Sequence, residues 1–350
     1  MATVLMYVLF VIGLILIIKG GDWFVDSASW IAEVAGVPKF VIGATIVSVA
    51  TTLPEMIVSI TATAKGNVDM AAGNAIGSVT ANSAMILGLF IVCMPFAVKR
   101  KEFAPKALMM LGASVALVLG CIFTQKETLM FEGESNLYYR LTLIGIIVLA
   151  LIFIAFFIEN FISLKRENTQ IEPSPDNIGL QPEDGIVATK EKATSKDWAK
   201  NIAFFIAGAA GIVIGAQLLV NYGTEIATSL GIPQRIISVL AIAIGTSLPE
   251  LVTTITAIRK KAGSLSVGNI LGANIIDLTL ILPICSAVSM GKGSGMLAVS
   301  AASVEIDMMV CLAAIAIAVI PTVFTKKFHR AQGIVMLAGY IGYVLYTVFA

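Results

Sequence analysis

Charge is scarce in this chain: Asp, Glu, Lys and Arg make up 13% of its 350 residues, where soluble globular proteins carry about 25%. The two signs nearly cancel, with 23 basic against 22 acidic residues, so nothing points to a polyanionic partner such as nucleic acid. Histidine is scarcer still. The single His329 stands beside Lys326-Lys327 at a membrane edge, as a solvated loop residue that cannot serve a buried serine. With no GxGD motif either, an intramembrane protease lacks its catalytic set, and the chain is read as no enzyme. Cys93, Cys121, Cys285 and Cys311 stand singly in apolar stretches without CxxC spacing. They read as small buried hydrophobes, not as ligands or disulfide partners.

What the chain has in excess is apolar surface, at 58% of residues against roughly 45–50% in soluble domains. A spanning helix uses about 20 apolar residues, and ten such spans absorb the surplus. The first run, Thr3 to Ile18, has no basic residue before it and no small-residue cleavage site after it, so it reads as a retained helix. Spans are expected near 3 to 33, 40 to 64, 70 to 96, 106 to 124, 140 to 163, 201 to 229, 236 to 258, 264 to 289, 305 to 324 and 331 to 349. The fold class is therefore an all-α integral membrane protein. The first and sixth spans are long, with amphipathic second halves, as if tilted.

Lys and Arg collect in short cytoplasmic loops. With the N-terminus outside, the inner loops hold 17 basic residues, Lys106 among them, and the outer loops hold Lys65, Lys126, Arg140, Arg235 and Lys292. Both termini are expected outside. The segment 165 to 200, rich in proline and mixed charge, reads as a cytoplasmic linker between two membrane halves, 1–164 and 201–350.

The halves repeat. A gapless offset of 195 lays Gly36-Val37-Pro38 on Gly231-Ile232-Pro233, Thr51-Thr52-Leu53-Pro54-Glu55 on Thr246-Ser247-Leu248-Pro249-Glu250, and Gly73-Asn74-Ala75-Ile76-Gly77 on Gly268-Asn269-Ile270-Leu271-Gly272. Five spans per half is an odd number, so the second half enters the membrane from the opposite side. Inverted repeats of this kind belong to secondary transporters, which bind their cargo near the midplane on interrupted helices.

Glu55, Glu250 and Asp277 fall in the middle of apolar spans. A carboxylate there costs about 2.5–3.5 kcal/mol on insertion scales and normally faces a polar cavity or a cation. No lysine or arginine is expected at comparable depth, so a mobile cation is the simplest neutraliser. Pro54 and Pro249 precede the glutamates and should break the local helix, freeing carbonyl oxygens. Thr51 lies four residues before Glu55 on one helix face, and Thr246 stands likewise before Glu250. Gly73 and Gly77, with Gly268 and Gly272, form GxxxG pairs for close helix packing. Asn82 follows Glu55, and Asp277 follows Glu250, by the same 27 residues; Ser78 and Ala273 sit one turn earlier. An all-oxygen set without imidazole or thiolate suits a hard cation such as calcium.

The segments VIGATIVSVATTLPEMIVS with GNAIGSVTANSAMILGL, and VLAIAIGTSLPELVTT with GNILGANIIDLTLIL, closely resemble the paired α-repeats of the calcium/cation antiporter superfamily. They are most like the compact microbial sodium/calcium exchangers. The resemblance covers nearly all of the chain outside 165 to 200. It implies ten helices in two inverted repeats, the long first and sixth sliding over a core of eight. It implies calcium exchanged for sodium by one chain in a lipid bilayer, with no cofactor, in the inner membrane if the source is prokaryotic. Carried over by motif, Glu55 and Glu250 bind calcium with the carbonyls of Thr51 and Thr246. Sodium adds the Ser48 and Ala243 carbonyls with Thr52, Ser247 and Ser78, and Asn82 and Asp277 complete the centre. Ala273 stands where the family usually has serine, Thr52 replaces a more usual serine, and Val79 stands where asparagine is common. A proton/calcium antiporter, or a potassium-dependent exchanger, shares these residues and is separated by its driving ion. A channel fits the interrupted inverted repeat less well.

Overall fold

A computed structural model describes residues 2–66, 68–131, 134–167, 193–230, 245 and 247–349. The expected linker falls mostly outside this set, as do Gly231-Ile232-Pro233, Ala243 and Thr246. In chain order the helices are α1 (Ala2–Ala35), α2 (Lys39–Ala64), α3 (Val68–Thr80, continued by Ala81–Ile86 and Leu87–Cys93), α4 (Arg100–Ile122) and α5 (Leu143–Glu167). The second half adds α6 (Ser195–Ser229), α7 (Leu248–Arg259), α8 (Gly263–Gly291), α9 (Ser303–Thr325) and α10 (Arg330–Phe349). Eight of them are long and apolar enough to cross a membrane; α7 and α10 fall outside that group. This is a multi-pass integral membrane protein.

The long pair is as expected. α1 has 34 residues and α6 has 35, so at about 1.5 Å per residue each is about 50 Å long, well beyond a hydrocarbon core of about 30 Å, and must tilt. The two cross through glycines. A Cβ on Gly20 would lie 2.8 Å from the Gly208 carbonyl oxygen, and one on Gly215 would lie 2.8 Å from that of Gly13. No other residue lets the backbones come so close. Phe24 stacks on Phe205 beside this seam, with ring centroids 4.5 Å apart. In the second half of α1, Asp26 pairs with Lys260 at 2.7 Å.

Loops of one expected side gather at one end. The Arg140 guanidinium donates to the Ser294 and Met296 carbonyls, each at 2.9 Å, and Lys292 reaches the Ala64 carbonyl. At the other end the Val98 N–H donates to Lys326 O at 2.9 Å. Strands were not expected, yet Glu127–Phe131 (β1), Glu134–Arg140 (β2) and Ala298–Ser300 (β3) form an antiparallel sheet in the order β1-β2-β3. Backbone that leaves the helices still needs partners for its polar groups, and the hairpin supplies them.

Lys106 corrects the expectation that placed it in an inner loop. It is not a loop residue but lies fully buried in α4, paired with Glu159 of α5 and over the Phe40 ring. Ser163 Oγ donates to the other oxygen of Glu159 at 2.7 Å. Lys106 stands six residues past the start of α4, about 9 Å along the axis, and its aliphatic stem lets it pack there.

Candidate cation site

The site is built where α2 crosses α8. A Cβ on Gly268 would run into the Phe40 carbonyl, and one on Gly272 would lie 2.5 Å from the Ala44 carbonyl and 2.6 Å from Ser48 Oγ. These glycines therefore have the packing role expected of them. Gly73 and Gly77 meet nothing within 4 Å among the described residues. Three helices carry a wide π turn here: Gly43–Val47 in α2, Ala81–Ile86 in α3 and Asp277–Ile281 in α8. Such turns interrupt the regular ladder and recur at functional sites.

Pro54 departs from the helix-breaking role expected of it. Pro54 does not break its helix, which stays α-helical from Ser48 to Ala64; the irregular turn comes earlier, at Gly43–Val47. Losing one N–H bond to Ala50 is tolerated where packing holds both flanks. Pro249 sits in the first turn of α7, directly after the turn at Ser247.

The three acids are buried, Glu55 and Asp277 with no exposed surface and Glu250 at 1%. Asn82, Ser78, Ser247, Thr51, Thr52 and Ser48 are buried with them. Both oxygens of Glu55, both of Asp277, Glu250 Oε2 and Asn82 Oδ1 lack any hydrogen-bond donor. Buried polar atoms are almost always satisfied, so so many unpartnered acceptors mark a place for a positive guest. Among the described residues the one fully buried cation, Lys106, is held elsewhere by Glu159. No three carboxylate, imidazole or thiol groups among the described residues are placed to hold a metal by themselves. A cation here would complete its shell with amide, hydroxyl and carbonyl oxygens, as calcium and sodium do.

Hydroxyls knit the halves together around these acids. Ser78 Oγ and Ser247 Oγ are 3.3 Å apart, and Asn82 Nδ2 donates to Ser78 Oγ at 3.5 Å. The Thr52 hydroxyl donates to the Ser48 carbonyl at 2.6 Å, which leaves its oxygen lone pairs for a cation but occupies one side of a carbonyl expected to serve sodium. The Thr51 hydroxyl lies 3.2 Å from Asn269 Oδ1. Asn74 Nδ2 donates to the Glu55 carbonyl at 3.3 Å and to Ser59 Oγ at 3.0 Å. Asn274 Nδ2 donates to Ser83 Oγ at 2.8 Å across the halves. The motif reading left out Asn74 and Asn269 as site residues, although the paired Gly-Asn at the 195 offset was the available signal.

The family model for sodium/calcium exchanger protein matches residues 5–161 and 200–349. The chain belongs to the sodium/calcium exchanger family. Within it, this exchanger-family chain is 31% identical over 286 residues to the inner membrane protein YrbG of Escherichia coli (strain K12), covering 81% of this chain and 80% of that one. It is 28% identical to the sodium/calcium exchanger MaX1 of Methanosarcina acetivorans, over 79% of this chain and 81% of that one. A solved structure of the sodium-calcium exchanger NCX_Mj, soaked with 10 mM Na+ and zero Ca2+, superposes with a TM-score of 0.73 at 28% identity, covering 98% of this chain and 99% of that one.

Proposed function

We propose that this member of the family moves calcium across the membrane in exchange for sodium, by alternating access. It is a secondary transporter, with the two ions as cargo and no cofactor. Glu55, Glu250 and Asp277 carry the charge of the site, and the Asn82 amide with the hydroxyls of Thr52, Ser78 and Ser247 completes it. The carbonyls of Thr51, Thr246, Ser48 and Ala243 add neutral oxygens. The observation that carries this reading is the group of buried, donorless oxygens on Glu55, Glu250, Asp277 and Asn82.

The charge arithmetic gives the coupling. Three ionised acids bring −3, and a calcium ion offsets all but one charge. Several sodium ions can offset as much. In low dielectric the carrier then reorients only when one cargo or the other has offset most of the site's charge.

Ten spans in two inverted repeats, with both termini outside, fit the observations. The π turns at Ala81–Ile86 and Asp277–Ile281 fall at matching places under the 195 offset. Loops assigned to one side meet at one end, as Arg140 does with Ser294 and Val98 with Lys326. The glycine-lined pair α1 and α6 is the element that slides over the rest, and a single chain is the transport unit. Radiolabelled calcium uptake into sodium-loaded proteoliposomes tests the site. Glu55→Ala and Glu250→Ala should abolish uptake; normal rates in both would refute it.

A further inference from the structure

We propose that Asn269 is a positioning residue for exchange, holding Thr51 of the opposite half in place for the cation through a hydrogen bond that spans the two repeats. It rests on the sodium/calcium reading of the site. Asn269 is fully buried in α8 and lies 3.2 Å through Oδ1 from the hydroxyl of Thr51 in α2. Exchange of the amide oxygen and nitrogen keeps this bond, with Asn269 as donor. The same Thr51 hydroxyl also faces its own Ser48 carbonyl at 3.3 Å. Thr51 thus stands between the backbone of its own half and an amide of the other, and Asn269 selects its rotamer.

The repeat explains why Asn269 is free to do this. Its mate at the 195 offset, Asn74, is used within its own half, donating to Ser59 Oγ and the Glu55 carbonyl. The matching partner for Asn269 would be Thr254. There the Ser266 hydroxyl donates to Thr254 Oγ1 at 3.0 Å instead. Position 71, the mate of Ser266, is alanine and offers Ser59 only its carbonyl, at 3.3 Å. A hydroxyl on one repeat and a methyl on the other therefore release one asparagine from local bonding and keep the other. Asn269 Nδ2 is left buried without a partner. An amide kept at that cost, for one bond across the halves, is placed for coupling the repeats.

The test is a double-mutant cycle on the full chain in proteoliposomes. Asn269→Leu is nearly isosteric and removes the donorless amide, so its melting temperature in detergent should equal or exceed that of the unaltered protein. Its calcium concentration for half-maximal sodium-driven uptake should rise about fivefold, the loss of one buried hydrogen bond. Thr51→Val keeps the carbonyl and removes the hydroxyl. If Asn269 acts through that hydroxyl, the double variant will be no worse than Thr51→Val alone. Multiplied losses, or an unchanged calcium dependence in Asn269→Leu, would overturn the proposal while leaving the exchanger reading intact. A drop in melting temperature that matches the loss of affinity would reduce Asn269 to a structural residue and also overturn it. If Asn269→Leu does not assemble, Asn269→Ala enters the same cycle with the same expectation. Unaltered protein that exchanges no calcium for sodium would remove the exchanger reading, and this proposal with it.

Discussion

A carboxylate that is buried without donors strains the empty protein and serves the loaded one, so the two states should respond oppositely to its removal. Glu55→Gln keeps the shape and removes the charge. The ion-free melting temperature in detergent should rise, because an uncompensated buried charge is lost. Stabilisation by added calcium should fall by about 2 kcal/mol or more, about a 30-fold loss of affinity. A variant that melts lower without calcium and is stabilised by it as before would show that Glu55 serves packing. Ala273 gives the complementary test, since its repeat mate Ser78 contacts Ser247 while Ala273 has no hydroxyl to offer. Ala273→Ser should raise the apparent sodium affinity of exchange; an unchanged sodium dependence would show that the missing hydroxyl does not matter. Glu55, Glu250 and Asp277 were legible from the sequence because an acid inside an apolar run needs no neighbour to stand out. The choice of Asn269 for Thr51 was not legible. It depends on which hydroxyl reaches Thr254 first, and that is a matter of three-dimensional distance.

At the level of helices, the crossing of α2 over α8 sets the spacing of the buried oxygens on those two helices. Gly272→Val would place carbon within 2.5 Å of the Ala44 carbonyl and 2.6 Å of Ser48 Oγ. Forcing those backbones apart should cost about 1–3 kcal/mol in detergent melts and weaken calcium stabilisation with it. Gly112 in α4 is the control. A Cβ there meets nothing within 4 Å among the described residues, so Gly112→Ala should gain up to about 1 kcal/mol from helix propensity and leave calcium stabilisation unchanged. Equal effects of the two substitutions would show that the α2–α8 contact does not hold the site. The GxxxG pattern announced Gly268 and Gly272. The break expected at Pro54 was misplaced, because a proline removes one bond and packing decides where the helix widens. Lys106 was hidden for a different reason. A lysine near the start of a span resembles a loop residue until Glu159 and Phe40, distant in sequence, are seen beside it.

For the whole molecule, the decisive properties are which side each loop faces and which gradient drives transport. In a chain freed of its native cysteines, Thr128→Cys should react with a membrane-impermeant thiol reagent added outside intact cells, and Arg330→Cys only after the membrane is opened. The reverse pattern would invert the orientation while keeping the two loop clusters apart. The distribution of 17 inner and 5 outer basic residues is the sequence basis for this expected orientation. The hairpin of β1 and β2 was not legible in the sequence, because short strands in loops carry little periodic signal. Calcium uptake into proteoliposomes, driven in turn by a sodium gradient and by a pH gradient, tests the exchange most directly. Uptake should follow the sodium gradient and fail under the pH gradient alone, whereas uptake under the pH gradient without sodium would contradict sodium/calcium exchange.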